Sequence, residues 1–126
     1  MQVLKRRDFM RWQAQQGVAD ACLCRAVEDM QRGLIDADLG SGLYKQRIAR
    51  EGSGKSRGYR TLLSVKFGDR CVFLHGFAKS EKASVSAIEK RALQHAGKVF
   101  LELLSHQLNE AISLGLLIEV RCEQNH

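Results

Sequence analysis

The chain lacks most of the features that assign a sequence to a protein class at first sight. Its 126 residues include no proline, and aromatic residues make up only 6%. Its apolar runs are far shorter than the roughly 18 residues needed to cross a bilayer, so the sequence excludes a transmembrane helix. Its basic N-terminal stretch leads into QAQQG and not into an apolar segment, so we expect no secretory signal.

Cysteine is scarce, and its spacing fits no metal motif. The chain has four cysteines, Cys22, Cys24, Cys71 and Cys122. They form neither paired C-x-x-C ligand sets nor the dense pattern of secreted disulfide scaffolds. Cys22 and Cys24 fall on one predicted helix, two positions apart, and therefore face different directions. We expect four reduced thiols, no metal site, no cofactor and a cytoplasmic location.

The chain does have positive charge, concentrated in one segment. The net charge is +6, to which residues 1–42 contribute nothing and residues 61–126 contribute +1. Residues 43–60 contribute +5, from four arginines, two lysines and one glutamate. A block of one sign marks a site for a polyanion more often than an ordinary solvated surface. The excess of arginine over lysine favours planar, bidentate contacts with phosphate.

Alternation of apolar and polar residues predicts strands in the middle of the chain and at both ends. The strongest patterns cover residues 43–50, 59–67 and 70–78, with a very short turn between the last two. A short strand is predicted over residues 1–5, and residues 116–122 are expected to add either an edge strand or a strand that covers the core. Between the first two central strands, the segment EGSGKSRG is expected to form a flexible loop able to close against a ligand.

Helical periodicity flanks these strands. It predicts helices over residues 8–16, 20–33 and 107–114, the last of them ended by Gly115. A longer helix precedes Gln107 and carries an apolar stripe that we expect to pack on the sheet, formed by Ile88, Ala92, Ala96, Val99, Phe100 and Leu103. The sequence therefore predicts a single α+β domain over residues 1–126. We expect a small antiparallel sheet with N-terminal helices and a C-terminal helical segment packed on it.

The cations of the basic segment fall on one side of the predicted strands. Lys45 and Arg47 project from one face of a strand, about 7 Å apart, because a strand rises roughly 3.3 Å per residue. If the next strand pairs beside it, Arg60 joins that face, and Lys79 lies at the exit of the third strand. A concave cationic sheet surface of this kind suits an RNA phosphate backbone.

The order of motifs in this region resembles a known family. The run YKQRIAREGSGKSRGYRTLLSV, followed by LHGFAKSE, is similar to the RelE/HigB superfamily of bacterial type II toxin-antitoxin toxins. The similarity is greatest to the HigB-like branch, which carries a K-x-R, a G-x-G-K loop, a G-Y-R and a later F-A-K-x-E. The resemblance implies a small α+β toxin that cleaves mRNA in the ribosomal A site and is neutralised by a cognate antitoxin.

The resemblance also implies a reaction, the metal-free attack of a ribose 2′-hydroxyl on the adjacent phosphate. Lys45 is expected to act as the base, because neighbouring cations disfavour its protonated form. Arg47 and Arg60 are expected to hold the phosphate, and Arg60 matches the phosphate-binding arginine of the family's G-Y-R motif. Further contacts with RNA are expected from four cations, Arg50, Lys55, Arg57 and Lys79.

Two positions depart from the family pattern. Ser80 stands where RelE-type toxins often have an arginine, and Ser86 stands near the place of a tyrosine that stacks on a base. These departures put the RelE arrangement of catalytic groups in doubt, and His75 or Glu81 could serve instead. Two alternatives therefore stay open: a ParE-like toxin that acts on DNA gyrase without cleaving RNA, and an RNA-binding relative that has lost cleavage.

Overall fold

The computed structural model describes residues 1–50, 54–78 and 85–122. Its strands are β1 (Gln2–Arg6), β2 (Ala37–Asp38), β3 (Leu43–Arg50), β4 (Gly54–Lys66), β5 (Arg70–Ala78) and β6 (Leu117–Val120). Its helices are α1 (Arg7–Gln16), α2 (Asp20–Gln31), α3 (Ala87–Leu101) and α4 (Ser105–Ser113). This arrangement confirms the predicted α+β fold. No helix within the described ranges is long and apolar enough to span a bilayer.

The six strands form one mixed sheet in the order β2-β3-β4-β5-β1-β6. The central strands β3, β4 and β5 pair antiparallel, as the short turn at Gly68 and Asp69 predicts. β1 lies between β5 and β6, parallel to β5 and antiparallel to β6. The predicted C-terminal edge strand is therefore confirmed as β6, and the pairing of β1 with β5 makes the sheet mixed.

Each face of the sheet is covered by one pair of helices. We call the side covered by α1 and α2 the N-helix face, where a core cluster joins these helices to Ile48, Leu63 and Phe73. We call the side covered by α3 and α4 the C-helix face, where Leu43, Leu62 and other strand residues pack against them. Alternate strand residues point to opposite faces, so both layers draw on the same central strands.

Helix α3 packs on the sheet with only part of the predicted stripe, because Phe100 and Leu103 contact the core of the C-helix face and other stripe residues do not. Leu93 and Gly97 are its buried residues, whereas Ile88 and Val99 are exposed. Gly97 explains the difference, because a Cβ at this position would lie 1.7 Å from the Ser64 hydroxyl oxygen. The missing side chain lets the helix backbone approach β4, and this approach leaves Ile88, Ala92 and Val99 of the predicted stripe facing away from the sheet.

The predicted flexible loop EGSGKSRG is shorter than expected. Strand β4 already begins at Gly54, and Gly54 is in register with Arg50 of β3. The backbone of Lys55 and Arg57 therefore belongs to a strand, because the β3–β4 ladder extends further than the apolar alternation indicates. Residues 51–53 and the side chains of Arg50, Lys55 and Arg57 lie outside the described part.

The prediction of four reduced thiols is wrong for two of the cysteines. Cys24 of α2 and Cys122, just after β6, form a disulfide, with their Cα atoms 5.5 Å apart. The fold brings them together because the core cluster of the N-helix face contains both α2 and the end of β6. Cys22 and Cys71 are free, and burial raises the pKa of the Cys71 thiol to about 12. The disulfide removes the premise on which the cytoplasmic location was predicted.

Candidate functional site

Three cations project from the C-helix face of the two central strands. Lys45 and Arg47 alternate along β3, and the register places Arg47 directly opposite Arg60 of β4. We call Lys45, Arg47 and Arg60 the cationic face. The strand alternation thus brings together the three residues that the sequence singles out as catalytic.

The register places like charges side by side. Directly opposed residues of an antiparallel pair have their Cβ atoms roughly 5 Å apart, and like charges in this position destabilise a sheet. Arg60 is moreover buried, with 7% of its surface exposed, although arginine is seldom buried. Two arginines brought together at one point of a sheet form a cationic surface that suits an anion.

An aspartate holds Arg47 in place. The Asp36 carboxylate accepts a hydrogen bond from the Arg47 Nε atom at 2.8 Å, while 49% of the Arg47 side chain remains exposed. Asp36 is itself anchored, because its backbone N–H donates to Gln46 Oε1 at 3.0 Å, and Gln46 Nε2 donates to the Leu34 carbonyl at 2.8 Å. The contact uses only the Nε edge of the guanidinium. Among the described residues, the Arg47 Nη groups have no partner and can bind a ligand.

Sequence reasoning missed Asp36 and Gln46. The segment LIDADLGSG looks like an ordinary turn-rich connection, and nothing local identifies the two-residue strand β2 within it. β2 pairs with the start of β3, in the register Ala37 with Lys45, which places Asp36 beside the cationic face. An acidic residue in a connection that leads into a cationic strand is the signal that could have indicated this contact.

A bulge in β5 places a histidine beside the cationic face. Leu62 pairs with His75 and Leu63 pairs with Phe73, so Leu74 is the extra residue of the bulge. The Arg6 Nε atom donates to the Leu74 carbonyl at 2.6 Å, and burial lowers the pKa of the Arg6 guanidinium. Because Lys45 pairs with Leu62, and Leu62 pairs with His75, the histidine lies in the same row across the sheet as Lys45. Its ring centroid is 5.9 Å from that of Phe77.

Two rows of side chains thus cross three strands on this face. One row runs Lys45, Leu62, His75, and the other runs Arg47, Arg60, Phe77. The rows are about 7 Å apart along the strands. This spacing allows a phosphate on the arginine row to present the neighbouring ribose to the lysine and histidine row.

The aromatic residues near this site belong to the core. Tyr59 is buried on the N-helix face, with its ring centroid 5.2 Å from that of Trp12. Trp12 in turn lies over Gly76, where a Cβ would approach its ring to 2.4 Å. Phe77 is also buried. Both rings are therefore part of the packed core.

The remaining predicted contacts are only partly placed. The backbones of Arg50, Lys55 and Arg57 lie in β3 and β4, at the end of the hairpin beyond the Arg47–Arg60 pair. Lys79 and Glu81 lie outside the described residues. Ser86 is described, and its hydroxyl caps α3 by accepting a hydrogen bond from the Glu89 N–H at 3.1 Å.

Comparison with known proteins adds one match. A family model for the RelE toxin of the RelE/RelB toxin-antitoxin system matches residues 1–120. The matched segment ends at Val120, the last residue of β6, and therefore spans every strand and helix of the described fold. Comparison with curated proteins finds no match for this chain.

Proposed function

Since the chain belongs to the RelE toxin family, and is thus a toxin of a toxin-antitoxin module with an antitoxin as its partner, we propose that it cleaves mRNA on the ribosome. We propose further that the whole chain acts as one toxin domain and belongs to the HigB-like branch. A toxin with this target works in the cytoplasm. The observation that carries the proposal is the cationic face, where Arg47 lies opposite Arg60 and Lys45 lies two residues along the same strand.

The reaction that this face suits is an internal transesterification. The ribose 2′-oxygen attacks the adjacent phosphorus, its proton passes to a base, and the bond from phosphorus to the 5′-oxygen breaks. The leaving 5′-oxygen takes up a proton, and the products carry a 2′,3′-cyclic phosphate and a 5′-hydroxyl. Such a step needs a base, an acid and cations around the crowded phosphorane.

The residues of the two rows can be assigned to these tasks. Arg47 and Arg60 hold the phosphate and stabilise the charge that develops on its oxygens. Lys45 is the candidate base, and His75, in the same row, is the candidate acid. The row of Lys45 and His75 lies about 7 Å from the row of the arginines, which is about the distance from a phosphate to the neighbouring ribose. This distance supports phosphate binding by one row and proton transfer by the other.

The second set of cations extends this surface along the strands. Arg50 ends β3, while Lys55 and Arg57 begin β4, so their backbones continue the hairpin beyond the arginine pair. We propose that these residues and Lys79 bind flanking phosphates of the mRNA. Contacts of this kind supply affinity that falls as the salt concentration rises.

One observation favours a second candidate, an RNA-binding relative without cleavage. Ser86 stands near the place of a base-stacking tyrosine, and its hydroxyl is engaged in capping α3. Tyr59 and Phe77 are buried and do not replace that tyrosine. A chain of this kind would still bind the translating ribosome through its cations, but it would not cut the message.

Mapping of mRNA 5′ ends after induction of the chain in a bacterial host tests the proposal. New ends are expected inside translated frames within minutes. Arg47→Ala should reduce the cleavage rate about 10²-fold, as does the loss of one donor to a developing oxyanion. Arg32→Ala is the matched control, because Arg32 is an exposed arginine paired with a carboxylate at the end of α2.

The other outcomes separate the alternatives. Undiminished cleavage by the Arg47→Ala chain would contradict the assignment of the site. Growth arrest without new mRNA ends would favour a target such as DNA gyrase. Ribosome association without arrest or cleavage would favour the RNA-binding relative.

A further inference from the structure

Helix α3 carries apolar side chains on the side that faces away from the sheet. Ile88 is 73% exposed and Val99 is 47% exposed, and Ala92 and His95 lie between them and are exposed as well. The four residues are spaced by four, three and four positions, so they follow one line along the helix. We call Ile88, Ala92, His95 and Val99 the α3 stripe.

The core does not account for the α3 stripe. The buried residues of the same helix, Leu93 and Gly97, lie on the opposite side and already pack on the sheet. A surface helix normally has one apolar side turned to the core and a polar side turned to water. Exposed Ile88 and Val99, with Ala92 between them on the outer side of an already packed helix, mark a place for a partner.

The charges beside the stripe indicate the chemistry of that partner. Arg91 and Lys98 border one edge of the stripe, and both are exposed. Within the described residues, neither side chain forms an ion pair, and Glu102 at the C-cap lies one turn beyond Lys98. An amphipathic helix with an apolar line bordered by acidic residues would complement this surface.

We propose that the α3 stripe is the docking surface for an acidic amphipathic helix of the cognate antitoxin. The proposal rests on the membership of the chain in a toxin-antitoxin family, not on its nuclease activity. A second copy of the chain fits less well, because a two-fold pairing of this surface would bring the same basic edge against itself.

The position of α3 means that a helix docked on it would affect the approach of RNA. The helix packs on β3, β4 and β5, the strands that carry the cationic face and His75. The α3 stripe and the cationic face therefore lie on the same side of the sheet. An antitoxin helix bound along α3 would place its acidic residues on the side from which RNA must approach.

Binding of the antitoxin from the same module to the full chain, measured by calorimetry, tests this proposal. Ile88→Glu should raise the Kd at least tenfold, because it places a charge in an apolar contact and opposes the acidic partner. The substitution suits the fold, since an acid in the first turn of a helix is favourable. Leu114→Glu is the matched control, because Leu114 is 61% exposed at the end of α4, and its Kd should stay within twofold.

A second measurement does not depend on any variant. Hydrogen exchange of the chain should slow over residues 88–99 when the antitoxin is bound. Lys98→Glu should weaken binding, and the affinity of the unaltered chain should fall as salt rises.

Three results would overturn the proposal: no complex with the antitoxin, a complex that leaves exchange over 88–99 unchanged, or a free chain whose self-association is abolished by Ile88→Glu. None of these depends on mRNA cleavage. A chain that binds the antitoxin through the α3 stripe but makes no cuts in mRNA would refute the proposed nuclease and keep this interface.

Discussion

The two ends of the C-helix face use arginine in opposite ways. At the end next to the β4–β5 turn, Arg70 is buried, and its Nη1 atom donates to the carbonyls of Phe100 and Leu103 at 2.9 and 3.0 Å. These carbonyls close the last turn of α3, where the helix dipole favours a cation. At the other end, Arg47 lies directly opposite Arg60, and like charges face each other across two strands.

The difference separates a structural arginine from a functional one. Arg70 faces backbone carbonyls, which need a donor when they are buried, so the fold itself requires its charge. Arg47, in contrast, lies opposite another arginine and is held by one carboxylate, Asp36, while about half of its side chain stays exposed. The amino-acid composition does not distinguish these three arginines. The groups that each of them faces in the fold do.

The largest expected effect on stability is that of replacing Arg70. Arg70→Met should lower the free energy of unfolding by about 3 kcal/mol, because it removes a buried guanidinium that donates to partly buried carbonyls. Arg47→Met should change it by less than about 1 kcal/mol, since it loses a half-exposed ion pair and also relieves a like-charge contact. Urea denaturation of both variants measures the two values.

The same two variants can contradict this distinction between a structural and a functional arginine. If the two substitutions cost similar stability, the arginine pair is also part of the structural framework, and its like charges carry no functional meaning. The expected signature is a crossed one, in which Arg70→Met lowers stability and Arg47→Met lowers cleavage at nearly unchanged stability.

The second largest effect on stability is expected in α3, where the helix packs closely on β4. Gly97→Ala should cost about 2 kcal/mol, because the new methyl group would overlap the Ser64 side chain and force α3 away from β4. Adding Ser64→Gly should restore room, so a double-mutant cycle should give a coupling energy of at least about 1 kcal/mol. A neutral Gly97→Ala would mean that α3 lies further from the sheet.

Local patterns in the sequence were sufficient to predict the strands of the site. β5 was predicted with its observed bounds, and the alternation in β3 and β4 placed Lys45, Arg47 and Arg60 on one face. These predictions succeed because side-chain direction in a strand depends only on position along the chain. The pairing of β3 with β4 was only a condition of this prediction, because the sequence indicates the longer connection EGSGKSRG between them, and the structure supplies the pairing.

The features that sequence reasoning missed depend on contacts between distant segments. The disulfide joins cysteines separated by 98 residues, and it forms because α2 and β6 share one core. The outward turn of the α3 stripe results from one close contact between Gly97 and Ser64. The anchoring of Arg47 requires β2, a strand of only two residues. None of these contacts has a local periodic signal.

The smallest expected effect tests whether Asp36 positions Arg47 for the reaction. Asp36→Asn removes the charge that holds the guanidinium and keeps the backbone contact with Gln46. Cleavage should fall about tenfold, equivalent to about 1.4 kcal/mol of lost transition-state stabilisation. The free energy of unfolding should change by less than about 1 kcal/mol, because the ion pair is half exposed.

Affinity for RNA distinguishes this role from a purely structural one. Asp36→Asn removes one negative charge from beside the cationic face, so binding of an uncleavable RNA should tighten while cleavage slows. Asp36→Glu should restore part of the rate. Asp38→Asn is the matched control, because Asp38 lies two residues further along, in β2, and its carboxylate accepts a hydrogen bond from the Gly40 N–H instead. Parallel loss of RNA binding and cleavage in the Asp36→Asn chain would show that the substitution disturbs the sheet edge, and Arg47 would then need no positioning carboxylate.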